Sequence, residues 1–148
     1  MRRAQTGAVR NGNSGQVRQN KMSAGVPKKA PHDVLQSLHD SIPDALTVLF
    51  ADLRTRQPLV SSEASQAGQT ALNALTDAMA DGFALADGAG VSATEMLLFD
   101  AQHVVAGVRH GDGLTDTTCT ELPVAGTWNI PGVLTGLQKA SRALDEAV

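Results

Sequence analysis

The chain has 148 residues, a hydrophobic fraction of 42% and a net charge of −3, which bounds it to one domain with a single core and at most a tail. Its only cysteine, Cys119, excludes an internal disulfide framework and every cysteine-rich zinc pattern. With three Phe, one Trp and no Tyr, it lacks aromatic platforms for single-stranded nucleic acid, and no apolar run has the length of a membrane span or the character of a secretory signal.

Residues 1–31 carry seven basic side chains and no acid (+7), whereas residues 32–148 carry five basic against fifteen acidic ones (−10). The first segment is rich in Gly, Asn, Gln and Ser, has little to bury, and is expected to be a disordered basic tail. An arm for nucleic acid or anionic lipid, an import presequence and a merely solvated tail compete as readings. A presequence or membrane helix would need an amphipathic apolar face, which is missing, and Met22 offers an alternative start. The acidic remainder is a poor nucleic-acid surface, and a reducing cytoplasm suits it.

From Pro31, the spacing of Val34, Leu35, Leu38 and Ile42 predicts a helix with Asp33 in its first turn, stopped by Pro43. Residues 45–53 are almost continuously apolar, as in a central strand covered on both faces. Residues 54–58 read as a turn, and 59–62 as a short hairpin partner. Residues 68–86 form the clearest helix: Leu72, Leu75, Met79 and Phe83 make one stripe, Asn73, Asp77 and Asp81 the opposite side. Gly88 and Gly90 stop it. Strands are expected at 91–99 and 102–109, joined by Asp100-Ala101 as a two-residue connection. After a turn at Gly111-Asp112-Gly113, a more polar strand is expected at 114–122. Val133, Leu134, Leu137, Ala140 and Leu144 predict a last helix, capped by Thr127 or Asn129, with Pro131 in its first turn. The order is α-β-β-α-β-β-β-α, an α+β sandwich.

No phosphate loop or dinucleotide fingerprint is present. Gly88–Gly90 follows a helix and so offers no helix N-terminus to an anion. Asp112 and Asp116 lack the spacing and closing Glu of a calcium loop and read as a polar turn. His103 and His110 stand at odd separation on one strand and point to opposite faces, and His32 and His39 read as surface positions. Cys119 lies mid-strand among threonines, without a placeable base. No catalytic, cofactor or metal set is assigned. Glu95 reads as an edge-strand charge or an interface contact.

Two stretches carry a resemblance. One is ALTVLFADLRTRQPLVSS followed by TALNALTDAMADGFALA; the other is EMLLFDAQHVVAGVRHGDG, leading through a third strand to LQKASRALDEA. Residues 32–148 resemble the roadblock/dynein-light-chain family, including its bacterial small-GTPase regulators. Where that family usually has a glycine in its first hairpin turn, this chain has Arg54-Thr55-Arg56-Gln57-Pro58.

The resemblance implies a five-stranded antiparallel sheet with the long helix on one face and the terminal helices on the other. It also implies a non-catalytic homo- or heterodimer, formed through the long helix and the adjacent strand, that serves a Ras-like GTPase or a signalling or motor assembly; a homodimer without cofactor is expected here. Small residues on the long helix and the neighbouring strand make Ala71, Ala74, Ala78 and Leu97 the candidate dimer interface. Asn73, Asp77, Asp81 and Glu95 are the candidate partner surface. The competing reading is a ligand-sensing module of profilin/PAS type, with a small apolar pocket between sheet and helix.

Overall fold

A computed structural model describes residues 29–147; the segment expected to be a disordered tail lies, up to residue 28, outside the described residues. Helix α1 (Pro31–Ser41) opens with Pro at its first position, where no intrahelical N–H is needed. It buries Val34, Leu35 and Leu38, and Ile42 leaves it in an extended conformation ahead of Pro43. Then follow β1 (Thr47–Asp52), β2 (Gln57–Ser61), α2 (Gln69–Gly88), β3 (Glu95–Phe99), β4 (His103–His110), β5 (Asp116–Pro123) and α3 (Ile130–Ala147). The strands form one antiparallel sheet in the order β2-β1-β5-β4-β3.

The sheet is covered on both faces. Val48, Phe50, Val104, Ala106, Val108 and Leu122 pack under α1 and α3. Leu49, Ala51, Val105 and Cys119 meet Leu72, Leu75, Met79 and Phe83 of α2 on the other side. The alternation along each strand thus assigns residues to one helix layer or the other.

The most polar strand is the central one. Thr117, Thr118, Cys119 and Thr120 of β5 are all 1% exposed or less, although sequence alone made this segment the least strand-like. Threonine is β-branched and suits a pleated sheet, and its hydroxyl finds partners inside. Thr117 donates to Val108 O at 2.9 Å and Thr120 to Thr47 O at 3.0 Å.

The turns differ from expectation in detail. The β1–β2 turn places Arg56 at φ +57°, a conformation usually left to glycine. A register shift beside Phe50 and Ala51 fits Pro58, which has no N–H to give a ladder. The β3–β4 connection takes three residues rather than two: the Asp100 carboxylate accepts from the N–H of Gln102 and of His103, both at 2.7 Å. A 3₁₀ turn at Asp112–Leu114 delays β5 to Asp116. Helix α2 ends in a Schellman arrangement, with Val91 N donating to Ala86 O at 2.9 Å and Gly90 N to Asp87 O at 3.0 Å, so β3 starts at Glu95 rather than Val91. Asn129, not Thr127, caps α3, accepting from Gly132 N at 3.3 Å.

His39 is a second correction. Half-buried rather than on the surface, it donates through Nε2 to Ala45 O at 3.0 Å and accepts the Ser62 hydroxyl on Nδ1 at 2.6 Å. It fastens α1 to the end of β2.

Candidate functional site: the α2–β3 edge

Among the described residues, strand β3 closes one side of the sheet, paired to β4 alone. Arg109 N donates to Thr94 O and Asp100 N to His103 O, so alternate residues of β3 bond to β4. By that alternation the backbone groups of Glu95, Leu97 and Phe99 face outward along a free edge. Their side chains lie on the α3 side of the sheet, where Leu97 is 36% and Phe99 61% exposed. An apolar, unprotected edge of this kind is what strand addition uses.

Beside this edge runs α2. Ala71, Ala74 and Ala78 lie on its exposed side and line an apolar groove of about 290 Å³ with Leu98, Val105 and His103. Leu85, seven residues after Ala78, continues the stripe and is 78% exposed. Small side chains at helical spacing let another helix approach closely. Leu97 therefore shares an edge with the alanine stripe but not a sheet face: its backbone is on the rim, its side chain on the far side.

The candidate partner residues do not form one surface. Asp77 and Asp81 face outward, but the β1–β2 hairpin overhangs α2 there, and Arg56 pairs with Asp77 at 3.5 Å and Asp81 at 2.7 Å. Those carboxylates, Asp81 first, hold the Arg56 guanidinium above its ordinary pKa. Asn73 accepts a hydrogen bond from Gln69. Glu95 sits on the opposite side of the sheet and accepts one from Gln138 of α3. Alternation on β3, read with the placement of α3, separates Glu95 from the other three.

Sequence reasoning missed Arg109, whose side chain is only 8% exposed. It bonds both oxygens of Asp87 at 2.8 and 3.0 Å and donates to Ala93 O at 2.6 and 3.1 Å. Its guanidinium lies 4.7 Å from the centroid of the Phe83 ring. The hydrogen bonds from Arg109 depress the pKa of the Asp87 carboxyl. Arg109 thus locks the end of α2 to the residues entering β3 and sets the geometry of the edge. An Arg on an otherwise apolar buried strand was the available signal.

No accessible nucleophile stands out among the described residues. Burial pushes the Cys119 thiol up to about 12, and Ser62, beside His39, is only 2% exposed. Three possible metal donors do converge elsewhere: His110, Asp116 and Asp145 offer ligand atoms within 4.8 Å of one another. The sequence reading considered two of the three, paired with the wrong neighbours. None of the described helices is long and apolar enough to cross a membrane.

The layout is that of the roadblock/LC7 domains, and the chain shares their fold. A roadblock/LC7 domain from Streptomyces avermitilis superposes with a TM-score of 0.62 over 78% of this chain and 94% of that one, at 4% identity. The gliding protein MglB from Thermus thermophilus gives 0.62 over 82% and 93%, at 20% identity. A structure described as MglB with tetrameric arrangement gives the same values. No protein-family profile and no curated protein matches the sequence.

Proposed function

We propose that this protein is a non-catalytic cytoplasmic homodimer that binds a Ras-like small GTPase as a scaffold or regulator. The observation that carries the reading is the free β3 edge beside the alanine stripe of α2, within a roadblock/LC7 fold. A two-fold axis through Leu97 would set its backbone against its own copy, extend the sheet across two chains and bring the two α2 helices together on one face. An isologous contact of this kind is self-complementary. It would cover the exposed apolar side chains and end the exposure of the edge.

The family resemblance supplies the GTPase, and the fold supports it. The tetrameric arrangement described for one MglB structure supports self-assembly as a habit of the fold. The charge of −10 on residues 32–148 would steer the assembly toward a basic patch on its partner, with association weakening as salt rises. Because Arg56 offsets one of the two charges of Asp77 and Asp81, acids elsewhere on the domain carry most of that steering. The test joins two measurements: sedimentation of the purified protein, and capture of GTPases from extracts of the source organism. A monomer at micromolar concentration would remove the dimer. A small molecule retained through purification, without any GTPase, would favour the ligand-sensing module.

A further inference from the structure

At the end of the sheet remote from the β3–β4 turn, three side chains from three elements meet on the α3 side. His110 ends β4, Asp116 begins β5 directly opposite it, and Asp145 comes from the last turn of α3. We propose that His110 Nδ1 and one carboxylate oxygen each from Asp116 and Asp145 form a binding site for a divalent transition-metal ion of the zinc type.

The histidine is prepared for this role. It is 8% exposed, its ring stacks on Phe50 at 5.7 Å between centroids, and Nε2 lies 2.8 Å from the Thr118 hydroxyl. Without an ion, Nδ1–H donates to the Asp145 carboxylate at 2.8 Å and Nε2 accepts from the Thr118 hydroxyl; a cation would displace the Nδ1 proton, and Nε2–H would then donate to Thr118. An outer hydrogen-bond partner that fixes the tautomer is a regular companion of a ligating imidazole.

The carboxylates also fit. Asp116 is half-buried, yet its carboxylate accepts no hydrogen bond from the described residues, and it packs so closely on Gly111 that a Cβ there would lie 2.6 Å from Oδ2. Gly111 holds φ +84°, a second reason for glycine at that position. Asp145 sits at a helix C-terminus, where a carboxylate opposes the helix dipole, and the last turn of α3 has no basic residue. A cation held between Asp145 and Asp116 would offset both costs. Among the described residues, two cationic side chains are nearby: Arg54 is 72% exposed and turned to Asp52 at 3.8 Å, and Arg142, exposed on α3, lines a neighbouring cleft with His110 and Asp145.

Ligand type selects the ion. An imidazole nitrogen disfavours calcium and magnesium, and one nitrogen with two carboxylate oxygens suits zinc and its neighbours. Zinc bonds of roughly 2.0–2.2 Å place tetrahedral donors about 3.3–3.6 Å apart. The widest pair, now up to 4.8 Å apart, would have to close by about 1 Å or more while the Nδ1–Asp145 pair at 2.8 Å opens, by side-chain rotation. A fourth position faces the cleft lined by Arg54, Gly111, Asp112 and Thr115, open to water or to a ligand atom from a partner. The bound ion would fasten the end of α3 to the β4–β5 turn.

The full 148-residue chain, freed of any tag and stripped with EDTA, is titrated with zinc chloride by calorimetry. One ion should bind per chain and raise the thermal midpoint. Asp145→Asn and Asp116→Asn should each weaken binding at least about tenfold, and Thr118→Val by roughly tenfold or more through the outer shell. Asp40→Asn, which removes an exposed carboxylate of α1 outside this cleft, should change nothing. Cobalt(II) should give visible d–d bands without a thiolate charge-transfer band. Far-UV circular dichroism checks that each apo variant is folded, and Asp145→Glu, which keeps a carboxylate, should retain binding if Asp145→Asn fails to fold. Absence of saturable binding to the wild type, binding unchanged in both Asn variants, or a thiolate band implicating Cys119 would overturn the proposal.

Discussion

Replacing Leu97 by glutamate should split the proposed dimer while leaving the monomer folded. Leu97 is 36% and Phe99 61% exposed; since full burial of such a side chain is worth about 1.5–3 kcal/mol, covering what remains would contribute about 0.5–1 kcal/mol at Leu97 and about 1–2 at Phe99 in each protomer. Two-fold symmetry doubles every loss. The Leu97→Glu dimer forfeits about 1–2 kcal/mol of burial and gains two like charges directly opposite each other, a further ~0.2–1 kcal/mol. Together with carboxylate desolvation this gives about 2–3 kcal/mol, or roughly 30- to 150-fold in Kd. Within the monomer Leu97 is only 36% exposed, so losing its buried part should lower monomer stability by about 1–2 kcal/mol, short of unfolding it. Sedimentation velocity over a dilution series measures the first effect and urea unfolding of the monomer the second. A Leu97→Glu protein that dimerises as tightly as the wild type would refute the edge-pairing argument.

Ala78→Glu, on the exposed alanine stripe, should also produce monomers by sedimentation without lowering helix content. Arg109→Ala should cost about 2 kcal/mol in chemical denaturation, because it leaves the Ala93 carbonyl short of partners and removes the cation over Phe83. It should loosen β3 first, as faster amide exchange at residues 93–99. Because burial raises the Cys119 thiol to about 12, a disulfide reagent at pH 8 should modify it only at the rate of unfolding; rapid labelling of folded protein would contradict that burial. The N–H and then the hydroxyl of Thr127 lower the pKa of Asp44, so its contribution is complete above the unfolded value of 3.8 and is lost as pH falls through the lower folded value. Asp44→Asn, which tolerates the φ of +66° at this position, should flatten that part of the acid limb in pH-dependent melting.

Helix stripes and apolar strand runs made the element order legible, because α2 buries one face at the helical period and β4 is an almost continuous run buried on both faces. The central place of β5 was not legible. Threonine hydroxyls look polar in sequence, and only the facing carbonyls of Val108 and Thr47 make them buried partners. The turns were shifted by one to four residues because side-chain caps such as Asp100 act on backbone groups that periodicity ignores. At the candidate edge, the alanine stripe followed from helical spacing, whereas the separation of Glu95 from Asp77 and Asp81 required knowing which face of β3 meets α3. The His110, Asp116 and Asp145 set joins residues up to 35 positions apart, and no local spacing announces it.

The most direct test of the scaffold reading is capture on immobilised full-length protein from an extract of the source organism, in parallel with Leu97→Glu. Bound proteins are identified by mass spectrometry after loading the extract with GDP or a non-hydrolysable GTP analogue. The account predicts a Ras-like GTPase enriched on the wild type, sensitive to the loaded nucleotide, weakened by added salt and reduced on the monomeric variant. Recovery of no GTPase under either nucleotide, from a wild-type protein confirmed to be folded and dimeric, would contradict it.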